Sequence, residues 1–220
     1  MKVSLVSSSE PSKELVNQGI VNAQELVAYC ARVSNPANQT NTETSEKLIR
    51  YLIKHQHWSP LEMVSACLEI ETTRDIARQI LRHRSFSFQE FSQRYAVADL
   101  GVELKEARLQ DTKNRQNSLA NTDQDLATRW EIKQQRVADL SADVYAWAIS
   151  HGIAKEQARA VLPEGITTSR LYMQGTLRSW LHYIELRSGP ETQKEHREIA
   201  VACAEALAGI FPMITEFLAK

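Results

Sequence analysis

The sequence has few cysteines and no long apolar run, and both absences exclude classes of protein. Its 3 cysteines lie far apart and form neither a Cys-x-x-Cys pair nor the spacing of a zinc site. We therefore expect no disulfide framework and no metal site, and interpret Cys30, Cys67 and Cys203 as inert thiols among apolar neighbours. The longest apolar runs, residues 144–149 and 199–204, are far shorter than the roughly 20 residues that cross a bilayer.

The chain also has almost no net charge, since 26 lysines and arginines oppose 27 aspartates and glutamates. No global positive field recruits nucleic acid or an anionic membrane, so any anion site must be local. The first residues turn polar after a short apolar stretch and do not resemble a signal peptide. No linker for a second core is visible, and we expect one cytoplasmic domain over residues 1–220.

Apolar periodicity predicts an α+β fold, a helix-rich domain with a small, mainly antiparallel sheet. Strict alternation predicts a strand over residues 63–71, and shorter strands are predicted over 3–6 and 167–173. Helical spacing and capping residues predict helices over residues 22–33, 44–55, 73–83, 125–150, 155–162, 176–187 and 192–210.

Residues 100–125 are polar and weakly periodic, which predicts a surface loop excursion. The long helix that follows has apolar residues at helical spacing, and Gly152 fits its C-terminal cap. We expect these apolar residues to face the core: Leu126, Trp130, Val137, Leu140 and Val144.

Arginine is concentrated in residues 74–94, where five arginines and no lysine occur. Guanidinium groups hold phosphate or carboxylate through two parallel hydrogen bonds, so this bias indicates oriented anion recognition. Arg74 and Arg78 lie one helical turn apart. For Arg74 we favour a solvated position with salt bridges to Glu71 and Asp75.

Arg82, His83 and Arg84 are consecutive, and such groups would repel one another unless an anion lay among them. Compensation of the helix dipole explains one or two of them. Acceptors, hydroxyls and another arginine follow at Gln89, Glu90, Ser92, Gln93 and Arg94. This combination favours a nucleotide-binding enzyme.

The alternative is a nucleic-acid-binding module that uses the helix and loop of residues 74–94. Its stacking platforms would be Phe86, Phe88, Phe91 and Tyr95. The near-neutral charge argues against this alternative, because nonspecific nucleic-acid binding depends on phosphate neutralisation.

Residues 82–92, RHRSFSFQEFS, resemble the signature of the flavin-dependent thymidylate synthases, in which Arg-His-Arg is followed by seven residues and a serine. Three further segments are similar to family segments in the same order: LIRYLIKHQHWSPLE at 48–62, ARAVLP at 158–163 and LRSWLHYIELR at 177–187. Together these segments extend the resemblance over most of the chain outside the loop near residues 100–125.

The resemblance implies reductive methylation of dUMP to dTMP, with FAD as bound redox carrier, NADPH as reductant and methylenetetrahydrofolate as one-carbon donor. It implies that no enzyme nucleophile attacks the base. It also implies a homotetramer whose active sites are shared between chains. The Gly-x-Gly-x-x-Gly pattern is absent, so FAD would not lie in a Rossmann crevice.

The resemblance also implies site residues. Those expected at FAD are Ser59, Arg82, His83, Arg84, Glu90, Thr176, Arg178 and His182. Those expected at dUMP are Gln79, Arg82, Glu90, Phe91, Ser92, Gln93, Arg94, Arg159 and Arg187. His57 is expected near the folate. Arg187 is the expected activating residue, because its guanidinium would stabilise negative charge developing on uracil.

The chain departs from the family pattern in three places. Glu191 falls where many members have a histidine, and His182 stands where others have asparagine. Gly175 or Thr176 occupies another position where many members have asparagine. An enzyme of the same architecture that transfers a different group to dUMP stays an alternative. Ser92 has no activating base beside it in the sequence, and we interpret it as a hydrogen-bonding ligand.

Overall fold

The computed structural model describes residues 1–99 and 101–219. An antiparallel sheet of four strands has the order β1-β2-β6-β3, and a separate hairpin pairs β4 with β5. The strands are β1 (Lys2–Ser8), β2 (Ser65–Thr73), β3 (Ser87–Glu90), β4 (Arg108–Gln110), β5 (Ser118–Ala120) and β6 (Thr168–Thr176). The predicted helix-rich α+β class with a small antiparallel sheet is confirmed.

The α-helices contain more residues than the strands do. They are α1 (Lys13–Asn17), α2 (Ala23–Ala31), α3 (Ser45–Lys54), α4 (Arg74–Ile80), α5 (Gln124–Ser150), α6 (Lys155–Ala158), α7 (Leu177–Arg187) and α8 (Lys194–Ala208). Short 3₁₀ turns occur at residues 36–38, 59–62, 159–161 and 212–217. Within the described residues, no helix is long and apolar enough to span a membrane.

The main core lies between the sheet and α2, α4, α7 and α8. Strand β2 alternates between buried and half-buried side chains, as its period of two requires. Trp180 and Tyr183 of α7 are almost fully buried, and the Trp180 indole N–H donates to the Ala66 carbonyl at 3.1 Å. This contact ties the first turn of α7 to β2.

Most element boundaries agree with the prediction, with four differences. Helix α1 was missed, because its five residues are too few to show a helical period. Helix α4 ends at Ile80 rather than near residue 83, because the chain turns there to enter β3. Strand β3 was missed, since its four residues are too few to show a period and it forms by pairing with β6. The hairpin of β4 and β5 lies inside the predicted 100–125 excursion.

The predicted inward face of α5 is wrong. Trp130, Val137, Leu140 and Val144 are 44%, 53%, 66% and 38% exposed, and Leu126 is half-buried. The face that packs on the chain instead carries Gln134, Ala138, Ser141, Tyr145 and Ala148. Small residues and hydrogen bonds explain this choice: the Gln134 amide bonds the Lys105 backbone twice, and Ser141 bonds the Val161 carbonyl.

Candidate active site

The ends of α4 and α7 meet at a pair formed by His83 and Arg187. Arg187 Nε donates a hydrogen bond to His83 Nε2 at 2.9 Å. Burial, reinforced by the charges of Arg187 and Arg82, lowers the pKa of His83 to about 4. The imidazole is therefore neutral near pH 7, with its proton on Nδ1 because Nε2 is the acceptor. Arg187 keeps its full charge beside a neutral partner.

Arg82 and Arg84 flank His83 and are exposed. Across residues 1–99 and 101–219, neither guanidinium forms an ion pair with a carboxylate. Three guanidinium groups around a neutral histidine leave uncompensated positive charge at this turn. Such a cluster fits a ligand with phosphate groups.

The N-terminus of α7 and the 3₁₀ turn at residues 59–62 hold further predicted flavin contacts. Thr176 caps α7, with its hydroxyl accepting from the Ser179 N–H at 3.3 Å. Arg178 forms an ion pair with Glu62, at the end of the turn that Ser59 begins. His182, one turn along α7, packs against Trp58 with ring centroids 4.5 Å apart.

His57 lies two residues before the 3₁₀ turn that begins at Ser59. Gln56 adopts a left-handed conformation with φ of 58°, which reverses the chain after α3. The His57 N–H donates to the Leu52 carbonyl at 2.8 Å. The exposed His57 ring then lies 6.3 Å from Tyr51 and 6.2 Å from His55, measured between centroids.

Glu90, at the far end of β3, receives contacts from several groups. Arg78 approaches it at 3.2 Å, Arg74 at 3.5 Å and the Ser169 hydroxyl at 2.9 Å. The predicted solvated position of Arg74 is wrong, since Arg74 is only 9% exposed. Its predicted partner Glu71 pairs with Arg170 instead, because β3 brings Glu90 over the helix.

The remaining predicted dUMP residues follow β3. Arg94 pairs with Glu156 at 3.4 Å, and Arg159 donates to the Glu156 carbonyl at 3.3 Å. Ser92 Oγ accepts from the Arg94 N–H at 3.3 Å. Gln93 is buried, and the Phe91 N–H donates to the Arg170 carbonyl at 2.8 Å.

Within one chain, the predicted site residues therefore fall into two groups at opposite ends of β3. The turn around His83 precedes Ser87, whereas the group around Arg94 follows Glu90. Three strand steps separate these ends by about 10 Å, at 3.3–3.4 Å per residue. The structure brings the predicted flavin residues other than Glu90 to one end, and most predicted dUMP residues to the other.

A buried polar chain behind the His83 turn was missed from the sequence. His196 Nε2 lies 3.2 Å from the Tyr183 hydroxyl, and its Nδ1 lies 3.2 Å from Gln79 Oε1. Gln79 in turn donates to Gln193 Oε1 at 2.8 Å. His196 lies between Glu195 and Arg197 in the sequence, and Tyr183 lies in an amphipathic helix, so neither neighbourhood indicated a buried hydrogen-bonded pair.

The fold and this cluster define an α+β protein with an exposed cationic cluster that suits phosphorylated ligands. The family model described as "Thymidylate synthase complementing protein" matches residues 14–213. The chain is 47% identical over 218 residues to the "Probable flavin-dependent thymidylate synthase" of Paramecium bursaria Chlorella virus 1, and 48% identical over 219 residues to the "Flavin-dependent thymidylate synthase" of Synechocystis sp.. Each alignment covers 99% of both sequences.

Solved structures agree with these relatives. The UMP/dUMP methylase PolB from Streptomyces cacaoi, bound with 5-Br dUMP, superposes with a TM-score of 0.81 at 27% identity. That superposition covers 98% of this chain and 93% of the other. The chain belongs to the flavin-dependent thymidylate synthase family. The predicted family, enzyme class and flavin dependence are confirmed, in favour of the enzyme over the nucleic-acid-binding module.

Proposed function

We propose that this enzyme makes dTMP from dUMP by reductive methylation, with methylenetetrahydrofolate as one-carbon donor and NADPH as reductant. The observation that carries the proposal is the His83–Arg187 pair between two arginines that have no carboxylate partner in the described residues. FAD, when bound, supplies the redox chemistry that amino-acid side chains lack. The chain supplies binding, orientation and electrostatic stabilisation.

The residues at the His83 turn fit a flavin dinucleotide. Arg82 and Arg84 would neutralise its phosphates, which are the partners that exposed guanidiniums prefer. The exposed His182 ring, inclined by 54° to Trp58, offers an aromatic contact for the ring system of the cofactor. We assign FAD to Ser59, Arg82, His83, Arg84, Glu90, Thr176, Arg178 and His182. His57 lies beside this group, and we place the folate there.

For dUMP, Arg94 and Arg159 suit the 5′-phosphate and Arg187 suits the uracil ring. Because Nε of Arg187 is held by His83, its two terminal nitrogens are left to donate to the base. A fixed guanidinium there stabilises negative charge that develops on the ring, without giving up its own proton. The remaining proposed dUMP residues are Gln79, Arg82, Glu90, Phe91, Ser92 and Gln93.

The substitution Ser92→Ala is expected to leave measurable turnover. Among the described residues, no carboxylate or imidazole hydrogen-bonds to Ser92 Oγ, so nothing activates it as a nucleophile. We expect kcat within about 10-fold of the unmodified enzyme and weaker dUMP binding, because one neutral hydrogen bond is worth about 1 kcal/mol. Steady-state kinetics measure both, and Ser87→Ala serves as control. Loss of all turnover with dUMP binding intact would contradict this role.

We further propose a homotetramer with active sites shared between chains. Separation of the two groups along β3 supports this arrangement, since a second copy could bring one group opposite the other. An exposed apolar seam on α5 supports it too, because its residues recur at heptad spacing, the pattern of helices that pack together. The seam consists of Leu126, Trp130, Val137, Leu140, Val144 and Trp147.

A charged side chain introduced into this seam is expected to dissociate the proposed homotetramer. In Leu140→Glu, a carboxylate would be buried against apolar side chains, at a cost of several kcal/mol. Thr128→Glu adds the same charge to an exposed position on another side of α5. We expect sedimentation velocity to give a smaller, less active species for Leu140→Glu alone. Equal masses for both variants would exclude this seam as an interface.

The proposal includes one domain over residues 1–220 and a cytoplasmic location. A main core cluster joins the sheet to α2, α4, α7 and α8, which supports a single folding unit. Cys30, Cys67 and Cys203 are free thiols, in agreement with a reducing compartment.

Flavin absorbance under anaerobic conditions tests the proposed function. We expect NADPH to bleach the absorbance of the FAD-loaded protein, and addition of dUMP with methylenetetrahydrofolate to restore it. Each of these two reactants alone should leave the flavin reduced, because reoxidation is coupled to methylation of the base. Reoxidation without dUMP would mean that another acceptor is used.

A further inference from the structure

A chain of hydrogen bonds runs behind the His83 turn from α7 through α8 to β4. His196 is fully buried at its centre, between the Tyr183 hydroxyl and Gln79 Oε1, each at 3.2 Å. Gln79 Nε2 donates to Gln193 Oε1 at 2.8 Å, and Gln193 Nε2 donates to Glu195 Oε2 at 3.0 Å. We refer to Tyr183, His196, Gln79, Gln193 and Glu195 as the amide chain.

The amide chain is anchored on a carboxylate. Arg108 of β4 donates to both oxygens of Glu195, at 2.6 and 2.8 Å. Burial raises the pKa of Glu195, but hydrogen bonds, chiefly from Arg108, outweigh it and the net pKa is lowered. Glu195 is therefore ionised at neutral pH, and an ionised carboxylate accepts hydrogen bonds without donating any.

This anchor sets the direction of every link. The Gln193 NH₂ group must face Glu195, so its carbonyl oxygen faces Gln79. The Gln79 NH₂ group faces that oxygen, and Gln79 Oε1 then accepts from His196 Nδ1–H. His196 Nε2 accepts from the Tyr183 hydroxyl, so the imidazole is a neutral Nδ1–H tautomer. If the Gln79 amide were turned by 180°, its NH₂ group would face the Nδ1–H donor of His196 and its oxygen would face the oxygen of Gln193.

The neutral state of His196 is supported by its surroundings. Burial, followed by the positive charge of Arg187 and then His83, lowers the pKa of His196 to about 3. The titratable group that hydrogen-bonds to His196 is the Tyr183 hydroxyl, whose pKa burial raises well above its ordinary value. Both groups therefore keep the protonation states that the chain requires at neutral pH.

A glutamine side chain has two N–H bonds and two carbonyl lone pairs. The amide chain uses one of each on Gln79, which leaves one donor and one acceptor. Gln79 is half-buried on α4, and its backbone carbonyl accepts from the N–H of Arg82. Gln79 therefore lies beside Arg82, one of the residues proposed to hold the nucleotide.

We propose that the amide chain fixes the orientation of the Gln79 side chain for dUMP binding, with His196 and Gln193 as positioning residues. This inference rests on the proposed function. A preoriented amide loses less entropy when the nucleotide binds, so the chain contributes to nucleotide affinity and not to the chemical step. FAD affinity is expected to be independent of it, since in the described part of the chain no side chain of the proposed flavin residues hydrogen-bonds to the amide chain.

Five single variants and one double variant test the proposal by calorimetric titration with dUMP and FAD. His196→Leu removes the donor to Gln79, and we expect about 10-fold weaker dUMP binding, the effect of one lost hydrogen bond to a fixed group. Gln79→Leu should weaken dUMP binding at least as much. The double variant His196→Leu/Gln79→Leu should bind dUMP as weakly as Gln79→Leu alone, because both changes act through the Gln79 amide.

His196→Asn keeps an amide donor near the place of Nδ1 and is expected to restore dUMP affinity to within about 3-fold. Ile199→Ala opens a cavity one turn along α8 without removing a hydrogen bond, and is expected to lower stability with dUMP affinity unchanged. FAD affinity and kcat at saturating dUMP should stay within about 2-fold in His196→Leu. If that variant does not fold, Gln193→Leu breaks the next link.

Unchanged dUMP affinity in a folded His196→Leu protein would overturn the inference, and so would failure of His196→Asn to restore it. If the unmodified enzyme binds no dUMP, the proposed function fails instead. The amide chain then has its own readout in hydrogen exchange of the Gln79 side-chain NH₂ by NMR. Slow exchange that His196→Leu abolishes supports the fixed orientation, and fast exchange in both proteins overturns it.

Discussion

The substitution Arg187→Ala is expected to lower the rate of dTMP formation at saturating dUMP by about 10²–10³-fold, the usual effect of removing a group that stabilises charge in the transition state. Arg187 is the guanidinium that His83 orients, through the 2.9 Å hydrogen bond to its Nε. Its charge is not lost to a carboxylate in the described part of the chain. The group is therefore fixed and fully charged before the nucleotide arrives.

Two further variants separate charge from geometry. Arg187→Lys keeps the positive charge but loses the planar fork, so we expect an intermediate loss of rate. Arg115→Ala removes an exposed arginine of the loop before β5 and should leave the rate unchanged. FAD binding, followed by flavin absorbance, should survive all three changes. A rate for Arg187→Ala within about 3-fold of the unmodified enzyme would remove Arg187 from the proposed chemistry.

Gly175→Ala is expected to lower the free energy of unfolding by about 1–3 kcal/mol, the usual cost of overpacking a core. A Cβ on Gly175 would lie 2.4 Å from Cδ1 of Phe86 and 2.5 Å from its Cε1. The Phe86 ring cannot retreat freely, since it packs edge-on against Trp180 with centroids 4.8 Å apart. Phe86 follows the His83 turn by three residues, so its displacement should also weaken FAD binding.

Gly209→Ala is the matched control, because nothing lies within 4 Å of its added Cβ. Urea unfolding, followed by circular dichroism, measures both variants against the unmodified protein. We expect a lower midpoint for Gly175→Ala alone. Equal midpoints for the two variants would mean that the Phe86 ring yields without cost.

The sequence predicted those parts of the fold that have a local cause. The alternation in β2 and the capping residue Asn22 of α2 are visible without any partner, and the structure has both. Strand β3 exists because β6 lies beside it, and four residues cannot reveal a distant partner. For α5, periodicity identified an apolar stripe but could not say whether the same chain covers it.

The candidate site likewise has one part that the sequence predicted and another part that only the fold creates. The arginines around His83 are neighbours in sequence, so their composition alone indicated an anion site. The pairing of His83 with Arg187 joins residues 104 positions apart, and only the folded chain brings the turn after α4 to the end of α7. His196 could not be identified from the sequence, because its role depends on the orientations of Gln79, on another helix, and of Gln193, which precedes α8.

The central claim is the conversion of dUMP to dTMP by this chain with bound FAD. Its most direct test is product analysis by mass spectrometry after anaerobic turnover with dUMP, methylenetetrahydrofolate and NADPH, with each reactant omitted in turn. We expect dTMP only in the complete mixture, and its loss in Arg187→Ala with FAD still bound. Unchanged dUMP, or a product carrying a group other than methyl, from a flavin-loaded protein in the complete mixture would contradict the claim.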